Sequence, residues 1–159
     1  MKKLSAVLLS LFLFFAIAHA QSAVSPIKWR MSVKMTSATE GTVTLTAIIE
    51  DGWHLYGSEI PENGPIPTSF DFSQSKGVEF ESDFTPSVEP ITTYDSTFGL
   101  TTNQWEGKVS FLRNLTLIND IEDAVISGLV RYMACNGENC LPPSTQTFNT
   151  SPKPYAAPK

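Results

Sequence analysis

Ile27-Lys28-Trp29-Arg30-Met31-Ser32-Val33-Lys34-Met35 is written with period two. Ile27, Trp29, Met31, Val33 and Met35 are large and apolar, and the residues between them are polar or charged. Successive side chains of an extended chain point to opposite faces, so this spacing puts all five apolar groups on one side. A helix would scatter the same five around its circumference. The stretch predicts a strand with one buried face. Val43, Leu45, Ala47 and Ile49 repeat the pattern after the turn signal Glu40-Gly41.

Further along, Val78, Phe80 and Phe84 alternate again, with Ser82 filling the place between. Val109 and Phe111 are followed by Leu115 and Leu117, which predicts a strand whose register shifts between Leu112 and Asn114. Ile126, Gly128, Val130 and Tyr132 form another run, and Thr145-Gln146-Thr147-Phe148 is the last. Asp51-Gly52, Asn63-Gly64-Pro65, Lys76-Gly77 and Glu106-Gly107 mark turns between them. No window combines helical spacing with caps. Many short strands at close spacing predict an all-β chain, best read as an immunoglobulin-like antiparallel β-sandwich. Trp29, Trp53, Phe70, Phe72, Phe80 and Phe111 are its expected core aromatics.

The N-terminus carries a different signal. Met1-Lys2-Lys3 is basic, Leu4 to Ala18 is almost wholly apolar, and Ala18-His19-Ala20 has the small-x-small form of a signal-peptidase site. The apolar run falls short of the ~20 residues of a membrane span. Residues 1–20 are therefore read as a cleaved signal peptide, with no membrane insertion after cleavage. The expected location is the periplasm, outright secretion being the second reading. Cleavage leaves one domain, residues 24–150, and a Pro-rich flexible tail, residues 151–159. It also leaves nine basic against sixteen acidic residues, a formal −7. With no Lys/Arg cluster, that balance excludes nucleic acid as an expected partner.

Both cysteines lie in Tyr132-Met133-Ala134-Cys135-Asn136-Gly137-Glu138-Asn139-Cys140-Leu141-Pro142-Pro143. Asn136-Gly137 is a turn dipeptide, because both residues tolerate positive φ. If the chain on either side forms antiparallel arms, the two cysteines face each other at a spacing a disulfide accepts. In an oxidising compartment the bond is the expected resting state. Pro142 and Pro143 offer no N–H, so pairing stops there or the strand lies at an edge. That places the bond at a sheet rim, reachable by another thiol. Closing so short a loop contributes only about 2 kcal/mol. Spacing by itself leaves a structural staple and a redox pair both open.

Val130-Arg131-Tyr132-Met133-Ala134-Cys135, followed by Cys140-Leu141-Pro142-Pro143 and Ser144-Thr145-Gln146-Thr147, resembles the active-site hairpin of the N-terminal periplasmic domain of DsbD-type thiol:disulfide interchange proteins. Asp51-Gly52-Trp53-His54-Leu55-Tyr56 is similar to that family's Gly-aromatic-aromatic-Leu-Tyr strand. Tyr94-Asp95-Ser96-Thr97-Phe98-Gly99 is similar to the loop that caps its disulfide. The resemblance runs from about Ile27 to Phe148. It departs from the family in one spacing: four residues separate the cysteines, where the best-known members have five.

The resemblance implies thiol-disulfide exchange. Cys140 would form the mixed disulfide and Cys135 would resolve it. Phe98 would cap the sulfurs, Asp95 would orient the cap or assist proton transfer, and Tyr56, Tyr132 and His54 would surround the hairpin. The implied partners are thioredoxin-like redox proteins and a DsbD-like membrane protein as donors. A periplasmic disulfide isomerase or a cytochrome c maturation protein would be the acceptor. The sequence runs to Lys159 without the family's membrane or thioredoxin-like domains, so the expectation is either separately encoded partners or another use of the same scaffold. No cofactor is called for. His54 is the one histidine left after cleavage, and with the cysteines paired it cannot build a metal site. Nothing adjacent in sequence lowers a thiol pKa, and Glu138 opposes a thiolate. The competing reading is a non-enzymatic adaptor sandwich with an inert hairpin disulfide. It would bind a protein by strand addition at the Pro-Pro edge or the Gly64-Pro65-Ile66-Pro67 loop.

Overall fold

The computed structural model describes residues 25–118 and 120–157. The signal-peptide reading for residues 1–20 lies outside the described residues. Twelve strands follow in chain order: β1 Ile27–Met35, β2 Glu40–Ile49, β3 His54–Tyr56, β4 Ser69–Asp71, β5 Val78–Phe80, β6 Thr85–Pro86, β7 Ile91–Asp95, β8 Leu100–Trp105, β9 Lys108–Leu117, β10 Ile126–Tyr132, β11 Ala134–Cys135 and β12 Ser144–Thr150. Among the described residues a single 3-10 turn, Ile121–Asp123, interrupts them. Among the described residues no helix is long and apolar enough to cross a membrane.

One layer is ordered β1-β2-β9-β5, with β6 also on the free edge of β9. The facing layer consists of β12-β10-β4 and β11-β3-β8-β7. Its two parts are joined where β10 runs through Met133 into β11 and Tyr56 N–H donates to the Met133 carbonyl at 3.2 Å. All strand pairs are antiparallel. The apolar stripe of β1 faces inward as its period demands, opposite Val43, Leu45 and Ala47 of β2. Aromatic rings weld the layers: Trp29 meets Tyr132 at 5.5 Å between centroids, Phe70 meets Phe111 at 4.9 Å, and Trp105 meets Phe111 edge-on at 5.0 Å. Offset and edge-on pairs of this kind add to the burial of large apolar area. The result is an immunoglobulin-like sandwich.

Two strand expectations need correction. β9 carries no register shift, for its pairing with β2 runs unbroken from Glu40↔Thr116 to Ile48↔Lys108. The place between Phe111 and Leu115 is taken by Arg113, whose guanidinium lies 4.4 Å over the Phe80 ring and 5.6 Å over Phe84. A cation stacked on ring faces fills an inward position without breaking the pleat. The run from Val78 to Phe84 also ends early. β5 stops at Phe80, and Phe84 packs on the core from the link to β6. The segment after β12 has no strand or helix through residue 157, yet Pro152 is buried.

Candidate functional site

The two cysteines pair across the hairpin that leaves β11. Cys135 and Cys140 form an antiparallel bridge and a disulfide, with Cα atoms 4.1 Å apart. Leu141 N–H donates to the Ala134 carbonyl at 2.9 Å, and Asn136 N–H to the Asn139 carbonyl at 3.1 Å. Inside the loop, Asn136 Oδ1 accepts the amides of Glu138 at 3.1 Å and Asn139 at 2.7 Å, and Gly137 turns the chain at φ +85°. That conformation suits glycine because it lacks a Cβ. Asn136 is thus the pin of the loop as well as half of a turn dipeptide. Beyond Leu141 the ladder breaks at Pro142 and Pro143 and resumes at Tyr132↔Ser144, with one more residue on the proline side than on the other. β12 lies at the edge of its sheet.

The partners of the disulfide come from β3 and β7. β11 pairs with β3 as Ala134↔Leu55 and Cys135↔His54. Directly opposed residues share a face, so Ala134 and Leu55 enter the core while Cys135 and His54 lie on the other side. Tyr56, two residues after His54, follows it there. The Tyr56 hydroxyl lies 3.9 Å from Cys140 Sγ and donates a short hydrogen bond to Asp95 Oδ2. Asp95 ends β7. Its other oxygen, Oδ1, accepts the amides of Thr97 at 2.8 Å and Phe98 at 3.3 Å, and Gly99 N–H closes the turn onto the Asp95 carbonyl at 2.8 Å. This Asx-type turn delivers the Phe98 ring to Tyr56, edge-on at 6.0 Å. One carboxylate therefore ties the Phe98 loop to the hydroxyl beside the sulfur.

Exposure separates the two sulfurs' residues. Cys135 is 1% exposed, whereas Cys140 is half-buried. The acid–base groups are equally asymmetric. Burial, the Asp95 hydrogen bond and the Asp95 charge together push the Tyr56 phenol well above its ordinary range. For Asp95, burial alone would favour the neutral acid. The Tyr56 hydroxyl, the Phe98 and Thr97 amides and His54 outweigh it and hold the carboxyl below its usual range. Burial lowers the His54 imidazole, and Asp95 and Glu106 only partly oppose it. His54 Nε2 sits 4.0 Å from Asp95 Oδ2, so at neutral pH this is a neutral ring beside a carboxylate and not an ion pair.

The structure thus gathers Cys135, Cys140, Tyr56, Asp95, Phe98 and His54 from three separate segments: the hairpin, β3 and the turn that ends β7. Tyr132 is placed differently. It packs on Trp29 in the inter-layer core, and its hydroxyl meets Ser25 Oγ at 3.3 Å. Glu106 and Gln104 were not singled out by the sequence, yet both line the cleft beside His54 and Asp95. Glu106-Gly107 reads as a turn signal, and nothing in its spacing points to the site. Among the described residues, no three His, Cys, Asp or Glu side chains are grouped to hold a metal ion.

The site is thus a disulfide hairpin at the rim of an immunoglobulin-like sandwich, with an aromatic loop packed on the tyrosine beside its sulfur. The sequence profile described as thiol:disulfide interchange protein DsbD, N-terminal, matches residues 21–152. The chain belongs to this DsbD N-terminal family. Among solved structures it is similar to the N-terminal periplasmic domain of ScsB from Proteus mirabilis, with 17% identity and a TM-score of 0.59 over 80% of this chain. The match covers 48% of that chain, so this protein spans about half the length of its structural relative. The GAE domain of yeast GGA1 superposes with a TM-score of 0.47 and 8% identity, over 80% of this chain and 91% of that one. No curated protein sequence matches the chain.

Proposed function

We propose that this protein carries reducing equivalents in the periplasm, taking them from a thioredoxin-like donor and passing them to an oxidised periplasmic protein through Cys135 and Cys140. The observation that carries the reading is the asymmetry of the pair: Cys135 is buried and Cys140 is half-exposed at a sheet rim, beside a hydroxyl and a carboxylate. Membership of the DsbD N-terminal family supports the reaction class. The export-type N-terminus supports the compartment.

In the loading step a donor thiolate attacks Cys140 Sγ, because access decides which sulfur is reached. The Cys135–Cys140 bond breaks, a donor–Cys140 disulfide forms, and Cys135 leaves as a thiolate that takes a proton. The donor's second thiolate then attacks its own sulfur in that bond and frees Cys140. The donor dithiol has lost two electrons and two protons, and the pair has gained both. Unloading is the same sequence in reverse on an acceptor disulfide. The donor is expected to be a thioredoxin-like domain served by a DsbD-like membrane protein. The acceptor is expected to be a disulfide isomerase or a cytochrome c maturation protein.

The test is a trapping experiment joined to a potential. Cys135→Ser should accumulate a mixed disulfide through Cys140 with a thioredoxin-like donor, and Cys140→Ser should not. The pair should equilibrate with thioredoxin near or above its potential, since structural disulfides lie below about −300 mV. A much lower potential, with neither variant trapping a partner, would leave an adaptor with a stapled hairpin.

A further inference from the structure

Three acid–base groups are arrayed behind Cys140. Tyr56 Oη is 3.9 Å from its sulfur and donates to Asp95 Oδ2. That carboxylate oxygen is 4.0 Å from His54 Nε2. His54 is nine-tenths buried, and its Nε2 has no hydrogen-bond partner. An unpartnered buried nitrogen lowers stability, so its retention calls for an explanation. His54 also lines a cleft of about 270 Å³ together with Asp95, Gln104, Glu106 and Asn136. Neither cysteine lines that cleft. The array therefore begins at the Cys140 sulfur and ends at a cleft that the hairpin loop borders through Asn136 and Gly137.

We infer that His54 is a positioning residue for the exchange reaction, an acid–base group that acts on Cys140 through Asp95 and Tyr56 and exchanges its proton with the cleft. The inference rests on the proposed exchange function. When the reduced pair attacks an acceptor disulfide, Cys140 must lose its proton. Its sulfur then bonds to one acceptor sulfur, and the other leaves as a thiolate. Cys135 next attacks Cys140 Sγ, which re-forms the intramolecular bond and frees the second acceptor sulfur. Two electrons and two protons leave the pair: the Cys140 proton goes through the array, the Cys135 proton goes to solvent, and the two acceptor thiolates take up two protons from solvent. In the first of these steps the Cys140 proton moves to Tyr56 Oη as Tyr56 hands its own to Asp95, and Asp95 hands it on to Nε2. His54 then discharges into cleft water.

The polarity of the array suits this direction, because the Tyr56 O–H already donates to Asp95. Rotation of the ring closes the 4.0 Å step. The groups that face His54 are Asp95 at the end of β7, Glu106 after β8, Tyr56 on its own strand and Cys135 opposite on β11. Burial outweighs the two carboxylates, so the ring is neutral and able to accept a proton at neutral pH. A free thiol, mostly protonated at neutral pH because an ordinary cysteine pKa is about 8.5, gains most from such a base.

The experiment follows the oxidation of the fully reduced protein by hydroxyethyl disulfide as a function of pH. His54→Phe keeps a ring against Tyr56 but has no base. It should react about tenfold more slowly than wild type near pH 7, and the gap should close near pH 10, where the thiol ionises unaided. His54→Ala leaves room beside the cleft, and added imidazole should restore its rate while leaving wild type unchanged. Equal rates for wild type and His54→Phe at every pH would overturn the inference. So would a loss in His54→Phe that is the same at pH 7 and pH 10, or a His54→Ala rate indifferent to imidazole, since those are marks of a packing role. A wild type inert at every pH would instead remove the exchange function, and this inference with it.

Discussion

Asp95 makes more of the site than any other side chain. One oxygen holds the Thr97 and Phe98 amides, and the other holds the Tyr56 hydroxyl and faces His54. Its pKa is depressed, so the stability it contributes is present above the carboxylate range and is lost as pH falls through its folded value. The His54 pKa is also depressed. Below its ordinary value of about 6.5 the unfolded chain binds a proton that the folded ring resists, so stability falls there as well. Tyr56 is the opposite case. Its pKa is raised, so its contribution is full below about 10 and is lost as pH rises beyond that. Urea midpoints should therefore fall on both sides of neutrality. Tyr56→Phe should remove the alkaline loss and, by stranding Asp95 Oδ2, lower stability at pH 7 by about 1–3 kcal/mol. Phe98→Ala should leave the fold intact and speed reduction of the disulfide by small thiols such as dithiothreitol. An unchanged rate would mean that the ring does not shield the sulfur.

Among the elements, β10 shows how closely strands are fitted around the core. It lies between β12 and β4, and Gly128 sits where a Cβ would come within 2.5 Å of the Asp71 carbonyl oxygen and of Phe72 Cγ. The carbonyl belongs to the strand ladder and cannot swing aside as a side chain could. Gly128→Ala should lower the urea-unfolding free energy by about 1–3 kcal/mol or more. The same change at Gly137 would meet no atom within 4 Å and would be resisted only by its φ of +85°. β9 teaches a related point. Its alternation fails at Arg113 in the sequence, but the pleat does not, because Phe80 and Phe84 supply faces on which the guanidinium rests. Those rings come from elsewhere in the chain, so local pattern reads a register shift where none exists.

The molecule as a whole should not depend on its disulfide. The core joins both layers through rings and branched aliphatic side chains, and the bond only closes a loop at the rim. Reduction should lower stability by about 2 kcal/mol. Near-ultraviolet circular dichroism should still report fixed aromatic packing, and a collapse of that signal on reduction would show a staple after all. A sandwich that stays folded in both redox states is what a carrier requires. The sequence by itself determined the strand-rich fold, the inward stripes of β1, β2 and β10, and the hairpin that opposes Cys135 to Cys140. All of these follow from spacing within a few residues, where the pleat and the turn set the geometry. The resemblance in its motifs also pointed to the family. Only the tertiary structure decided what surrounds the sulfurs. His54, Tyr56, Asp95 and Phe98 lie between 37 and 86 positions from the cysteines in sequence and meet them only when β3, β8 and β7 pair beside β11. Tyr132, three residues from Cys135, is carried instead into the core beside Trp29. Side-chain direction and burial are set by which strands become neighbours, and with them the charge state of every acid and base in the site.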